Sequence, residues 1–154
     1  LRKFLGIQRR FTKVFSYKKA DFYDDYAHHP TEISAVIKGA RQVQKNRRII
    51  SVFQPHRYSR IKALKNEFAL SFKQCDEVVL CPVFSAGEKN KFNFNQDTFS
   101  KLIGKKSRKQ VVNIKSQLDL KNYFKRNLLG NEMVICMGAG SISSWIRQIG
   151  DEFK

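Results

Sequence analysis

Two short strings concentrate the side chains of this protein that could do chemistry. Asp24-Asp25-Tyr26-Ala27-His28-His29-Pro30 sets two carboxylates, a phenol and two imidazoles side by side, and Gln54-Pro55-His56-Arg57-Tyr58-Ser59-Arg60 adds a third imidazole and two guanidiniums. Arg57 and Arg60 are three apart at an expected helix start, so both can face one side of that turn. The guanidinium fork suits a carboxylate or a phosphate, and a helix N-terminus favours the same anions. His28 is a candidate proton acceptor. Two shorter strings, Ser85-Ala86-Gly87-Glu88 and Gly138-Ala139-Gly140-Ser141, complete the set. Each has a plainer reading as well. Asp24 and Asp25 could end a strand and cap the next helix, and the arginine pair could simply be solvated. His28 and His29 with Asp25 and His56 could ligate a metal, although adjacent histidines on a turn rarely both face one ion. Gly138-Ala139-Gly140 fits an anion cradle or a tight turn equally well. It falls short of G-x-G-x-x-G, since Ser143 stands where the third glycine would be.

The elements that must carry these strings alternate between strand and helix. Ala20 to Tyr26 reads as a strand. Thr31 to Lys45 follows as a helix, with Ile33, Val36, Ile37, Ala40 and Val43 at helical spacing. Arg48 to Gln54 reads as a buried strand, and Ser59 to Lys73 as one helix with Ile61, Leu64, Phe68 and Phe72 on its inner face. Glu77 to Val83, Gln110 to Ile114 and Met133 to Met137 read as further strands. Gln117 to Leu128 reads as a helix, and Ile142, Trp145, Ile146 and Ile149 stripe a last one. Arg10 to Ser16 can pair with the first strand as a hairpin. Lys89 to Asn95 is a polar loop with Phe92 and Phe94 interleaved. The expected fold is α/β: a Rossmann-like three-layer domain, mostly parallel, with helices on both faces and an antiparallel N-terminal edge strand. Apolar runs without alternation are what a sheet covered on both faces requires. In such a sheet ligands bind beyond the carboxyl ends of the strands, and all four strings fall there. That convergence, more than any one string, marks a site. Residues 10–154 are expected to form this domain, with 1–9 a linker or the tail of a preceding element.

Bulk properties narrow the classes. At 154 residues, 42% hydrophobic and 28% charged, the chain is long and apolar enough for one ordinary core. No apolar run reaches the roughly 18 residues that span a bilayer. The chain starts on Leu1 and not on Met, which suggests a piece of something longer, and Leu1-Arg2-Lys3-Phe4 does not lead a signal peptide. Three cysteines, an odd count in apolar surroundings, fit a reducing cytoplasm better than a disulfide framework. The net charge of +17 invites a nucleic-acid reading. The basic pairs Arg9-Arg10, Lys18-Lys19, Arg47-Arg48, Lys105-Lys106 and Lys125-Arg126 are scattered, however, and make no stripe with interleaved aromatics. A lysine-rich solvated surface explains them, and neither nucleic acid nor membrane is expected as a partner.

The two long strings resemble the signatures of the C-terminal domain of the Mur ligases, in particular the branch that joins L-alanine to UDP-N-acetylmuramate. The Ala86-Gly87-Glu88 and Gly138-Ala139-Gly140 turns fall at matching places, and Arg9-Arg10-Phe11 resembles the family's junction between central and C-terminal domains. The resemblance covers nearly the whole chain. A sister branch, the murein tripeptide ligases, shares the His-His-Pro segment but tends to carry Phe at the place of Tyr26 and Glu-Pro-Arg at that of Gln54-Pro55-His56. Ala27 stands in place of a frequent Gly and Ser85 in place of a frequent Pro, and neither change removes a reactive side chain. The resemblance implies an ATP-dependent, cytoplasmic amide-forming ligase of peptidoglycan synthesis, in which ATP phosphorylates the muramate carboxylate and the alanine amine then displaces phosphate. ATP and Mg would be held mainly by a central domain, and this chain carries no G-x-x-x-x-G-K-[ST] string. The C-terminal domain would close over the central one. By the same resemblance Asp25 lies near the nucleotide, while Tyr26, His28, Arg57 and Arg60 gather around the incoming amino acid, with Arg57 and His28 the candidate catalytic groups. The fragment alone would be inactive. A basic nucleic-acid-binding α/β module is the competing reading from another class.

Overall fold

The computed structural model describes residues 10–154, so the stretch read as a linker, 1–9, lies outside the described residues. A hairpin opens the domain: β1 (Thr12–Tyr17) pairs antiparallel with β2 (Ala20–Asp25), with a bulge between Lys13 and Phe15. Lys18 and Lys19 turn the hairpin with positive φ. Helix α1 (Pro30–Val43) leads to β3 (Ile49–Phe53), and α2 (Tyr58–Ala63) and α3 (Lys65–Leu70) lead to β4 (Glu77–Leu80). Then come α4 (Gln96–Ser107), β5 (Gln110–Asn113), α5 (Gln117–Asn127), β6 (Met133–Met137) and α6 (Ile142–Glu152). Among the described residues the sheet has six strands in the order β1-β2-β6-β3-β4-β5, parallel everywhere except at β1. The Rossmann-like three-layer arrangement expected from the alternation is therefore the one that forms.

Both faces of the sheet are covered, so β3, β4 and β6 are buried along their whole length, and their residues divide by parity. Ile49 and Phe53 of β3, Val78 and Leu80 of β4, and Met133, Ile135 and Met137 of β6 pack with Ile33, Ile37, Ile61, Phe68, Phe72, Phe99 and Ile103 from α1 to α4. The alternate residues, Ile50, Val52, Val79, Val134 and Cys136, pack on the other face against Leu120, Phe124, Ile142, Ile146 and Ile149 from α5 and α6. Cys75, Cys81 and Cys136 are buried thiols.

Two expectations are corrected. Ser59 to Lys73 is not one helix: Leu64, at φ −122° and ψ 27°, breaks it into α2 and α3. The bend carries the chain around the sheet while Ile61, Phe68 and Phe72 still reach one core. Helix α4 went unread in the sequence. Asn95 caps it by accepting from Thr98 N at 2.9 Å. It docks on the neighbouring helix partly through a hydroxyl, Ser107 Oγ donating to Ala69 O at 2.6 Å and accepting from Phe72 N at 3.1 Å. A helix that buries serines presents a weak apolar stripe, and its lysines dilute that stripe further.

The two edges of the sheet differ. At the amino ends, Arg48 bridges Glu77 at 3.1 Å and Glu132 at 3.4 Å, and Tyr123 Oη donates to Glu77. The ion pairs there are made between residues of the fold itself. At the carboxyl ends, register places Asp25 beside Met137, Met137 beside Phe53, and Phe53 beside Leu80. One straight row therefore launches the four strings onto the same edge.

Candidate active site

Asp25 closes β2 with only 5% of its surface exposed. Its Oδ1 accepts from Ala27 N at 2.8 Å and its Oδ2 from Phe11 N at 2.8 Å. Burial pushes its carboxyl above the usual carboxylate range, with the two backbone bonds opposing that shift. A carboxyl whose titration is shifted by burial at a strand end is a common mark of a functional site. Here it also ties the start of β1 to the turn after β2. Arg10, Tyr26, Ala27, Glu32, Ala35 and Val36 join Asp25 in lining a cleft of about 250 Å³. Asp24 faces the other way. It is fully buried and accepts from Ser143 Oγ at 2.7 Å and Arg147 Nη1 at 2.8 Å. The plainer reading therefore suits Asp24, which fastens β2 to α6.

The two adjacent histidines separate by role. His29 is the N-cap of α1: its Nδ1 accepts from Thr31 N at 3.2 Å, and Glu32 Oε1 accepts from His29 N at 3.1 Å, a reciprocal capping box. His28 instead sets its Nδ1 2.9 Å from the Tyr26 carbonyl oxygen. A carbonyl can only accept, so Nδ1 carries the proton and Nε2 is left with a lone pair. That is the tautomer a proton acceptor needs. The ring stands edge-on to Tyr26 at 5.0 Å and 6.1 Å from the ring of His56. Half-exposed Tyr26 borders it on the open side. Among the described residues no group of three His, Cys, Asp or Glu side chains is placed to hold a metal ion.

The second string turns the corner after β3. Gln54 is buried: its amide donates to Ser141 Oγ at 2.9 Å while its carbonyl accepts from Ile142 N at 3.0 Å. The first turn of α6 is thereby tied to β3. His56 and Phe84 form a single parallel bridge with their rings stacked 5.6 Å apart. Burial first, then the nearby Arg60 guanidinium, holds the His56 imidazole below its ordinary pKa. Arg60 Nη1 lies 3.4 Å from His56 Nδ1, a long contact in which only the arginine can donate. With Nδ1 accepting in that contact, the ring proton falls on Nε2. Arg57 is exposed and makes no side-chain hydrogen bond or ion pair within the described residues, so its guanidinium stands available. Its backbone sits at φ +70° and ψ 130°, a conformation that costs a non-glycine residue on the order of 1–3 kcal/mol.

Three features eluded the sequence reading. The amino end of α2 was expected to serve an outside anion, but Glu88 already takes it, accepting from Ser59 N at 3.0 Å and Ser59 Oγ at 2.5 Å. Gly138-Ala139-Gly140 is shaped by packing. A Cβ at Gly138 would lie 2.9 Å from Gln54 O, and one at Gly140 would lie 2.4 Å from the Phe84 ring. Phe84 links the loops: its carbonyl accepts from Arg57 N at 2.9 Å and its amide donates to Pro55 O at 2.8 Å. The stretch after β4 was read as a continuing strand, which hid this pairing. A separate cleft of about 250 Å³ is lined by Tyr58 and Ile61 of α2, Thr98 and Phe99 of α4, and Phe92 and Phe94 of the loop between β4 and α4.

An open parallel sheet with an imidazole acceptor, a buried carboxylate and a free guanidinium at its carboxyl edge is the arrangement of a nucleotide-dependent α/β enzyme domain. Residues 9–140 match the family model described as Mur ligase, glutamate ligase domain, and the chain belongs to that family. It is 49% identical over 149 residues to the UDP-N-acetylmuramate–L-alanine ligase of Pelagibacter ubique, across 97% of this chain and 32% of that protein. To the enzyme so named from Ruegeria pomeroyi it is 38% identical over 154 residues, across 100% of this chain and 33% of the relative. The chain thus spans about a third of the length of the curated relatives it matches. Among solved structures it resembles the UDP-N-acetylmuramate–alanine ligase of Thermotoga maritima, with a TM-score of 0.68 and 26% identity over 94% of this chain and 30% of that one. It also shares its fold with a murein peptide ligase of Psychrobacter arcticus, at a TM-score of 0.75 and 16% identity over 95% of this chain and 30% of that one.

Proposed function

We propose that residues 10–154 form the C-terminal domain of an ATP-dependent, cytoplasmic ligase that makes the amide bond between UDP-N-acetylmuramate and L-alanine in peptidoglycan synthesis. The observation that carries this is the convergence of Asp25, Tyr26, His28, Arg57 and Arg60 on one edge of the sheet, launched from strands in register. Arg57 receives the alanine carboxylate through its planar fork, with Arg60 supporting it from the next turn. His28 Nε2 takes a proton from the alanine ammonium. The freed amine forms the new C–N bond at the activated muramate carbonyl, and phosphate leaves with the bonding pair. ATP supplies that activation. Asp25 faces the nucleotide side through the cleft it shares with Arg10. Both Asp25 oxygens already accept backbone amides, so Asp25 is a poor ligand for Mg, and ATP and Mg are held mainly by a central domain outside this chain. The domain's partners are that central domain and the UDP-binding N-terminal domain, on which it closes.

The test is substrate-dependent phosphate release by the full-length protein that contains this domain. Release should require UDP-N-acetylmuramate and L-alanine together. A protein that releases phosphate with a murein tripeptide and not with L-alanine belongs to the sister activity, and one that needs neither is not a ligase of this kind.

A further inference from the structure

Helix α2 starts on a residue that it does not hold by itself. Arg57 is its N-cap in a left-handed conformation, and no side-chain hydrogen bond caps the helix from that position. The restraint comes from the loop after β4. Phe84 O accepts from Arg57 N at 2.9 Å. Two residues along, Glu88 takes the Ser59 amide on one carboxylate oxygen and the Ser59 hydroxyl on the other. Glu88 in turn rides on a left-handed pair, Ala86 and Gly87 at φ +52° and +87°, closed by Glu88 N donating to Ser85 O at 3.0 Å. The hydroxyl of Ser59 first, its amide next, and more weakly the Arg57 guanidinium hold the Glu88 carboxyl below its ordinary range. The turn from strand β3 into α2 is thus clamped on both sides of Arg57 by one loop. A loop that served only to connect β4 to α4 would have no need to reach across and cap another helix.

We propose that Glu88 is a positioning residue for the ligation: by clamping Ser59 it holds Arg57 in the left-handed conformation that presents its guanidinium at the strand-end edge. The proposal rests on the reading of Arg57 as the group that receives the amino-acid carboxylate. Glu88 itself touches no substrate. It sets how firmly the guanidinium is oriented, and a fork that wanders loses the two-point contact even though its charge remains.

The experiment is a double-mutant cycle in the full-length enzyme, with L-alanine varied at saturating ATP and UDP-N-acetylmuramate. Glu88→Ala should raise the KM for L-alanine roughly tenfold while the KM for ATP stays within about twofold. Glu88→Gln keeps the reach and an acceptor oxygen for the Ser59 amide, and should recover most of the loss. In combination with Arg57→Lys, Glu88→Ala should add little, because both changes remove one shared contact. If Glu88→Ala does not accumulate folded, Glu88→Asp, shorter by one methylene, is read in the same cycle. Additive effects of the two changes overturn the proposal while leaving Arg57 in its role. So does a uniform fall in kcat and melting temperature with the KM for L-alanine unmoved, which is what a mere loop staple would produce. If Arg57→Lys alone leaves the alanine kinetics intact, the reading of the site fails, and this proposal with it.

Discussion

On the proposed reading Arg57 and His28 divide the labour that a carboxylate-bearing amine demands, one holding the anion and the other taking the proton. The arginine's contribution lies in its planar fork, which lysine lacks although it keeps the charge. In the full-length enzyme Arg57→Lys should therefore raise the KM for L-alanine or lower kcat by roughly tenfold or more, about 1.4 kcal/mol. The melting temperature should barely move, because the side chain is exposed and makes no bond within the described fold. Kinetics and melting measured on the same variant decide the matter: a lower melting temperature with intact alanine kinetics would take Arg57 out of the site. At the opposite edge Asp21 makes a contrasting case. A hydrogen bond from Ser16 at 2.6 Å, then Arg47 at 2.6 Å and Lys13 at 3.1 Å, lower its carboxyl from 3.8 to about 2 against a smaller penalty of burial. A carboxyl whose folded value is depressed contributes stability above its unfolded value and loses it as pH falls through the folded one. Asp21→Asn should thus lower the melting temperature above pH 3.8, and the gap to the unaltered chain should shrink toward pH 2. Thermal melts across that window check it, and a gap that stays constant with pH would show that the ion pairs carry no net stability.

The strand-end loops act as one platform because side chains from one loop brace the backbone of the next. Gln54 holds the first turn of α6, Phe84 lies against both His56 and the Gly140 turn, and Glu88 holds the first turn of α2. Gly140→Ala tests the platform. The added carbon would meet the Phe84 ring at 2.4 Å and its Cβ at 2.7 Å, so Phe84 must move and take the His56 stack with it. Overpacking of this kind costs about 1–3 kcal/mol, and the melting temperature should fall accordingly. An unchanged melting temperature would mean that Phe84 is free to swing aside. This bracing explains what the sequence could and could not disclose. Strands β3 and β6 were legible because they are almost wholly apolar, β2 because Ala20, Phe22 and Tyr23 lead into a pair of acids, and α6 because Ile142, Ile146 and Ile149 repeat at helical spacing. The candidate residues were legible because unusual types crowd the strand ends. Which of them face outward was not, since a capping histidine and a free one look alike as letters, and only the fold gives His29 to α1 and leaves His28 at the cleft. Glu88's grip on Ser59 spans 29 residues, and nothing local in either segment announces it.

At the scale of the whole molecule the site is half of something. Its residues stand along an open edge, with Tyr26 half-exposed and Arg57 exposed. Amide formation through an activated carboxylate needs water kept away and two substrates held in line, and one sheet edge does neither. The first turns of α1 and α2, where a phosphate could otherwise settle, are already capped by the His29 ring and by Glu88. No G-x-x-x-x-G-K-[ST] string offers another cradle. On the proposed reading the domain supplies a set of donors and an acceptor to be carried onto a partner domain that holds the nucleotide and the muramate, a closing step of the kind that completes many ligand-gated sites. The prediction is that this chain by itself, though folded, releases no phosphate from ATP in the presence of UDP-N-acetylmuramate and L-alanine, and that the same residues within the full-length chain do. Circular dichroism on the isolated chain establishes that it is folded, and a coupled phosphate assay on both proteins supplies the comparison. Turnover by the isolated chain would mean that the nucleotide binds at this sheet edge after all, which would relocate the chemistry from a closed interface to the cleft beside Asp25.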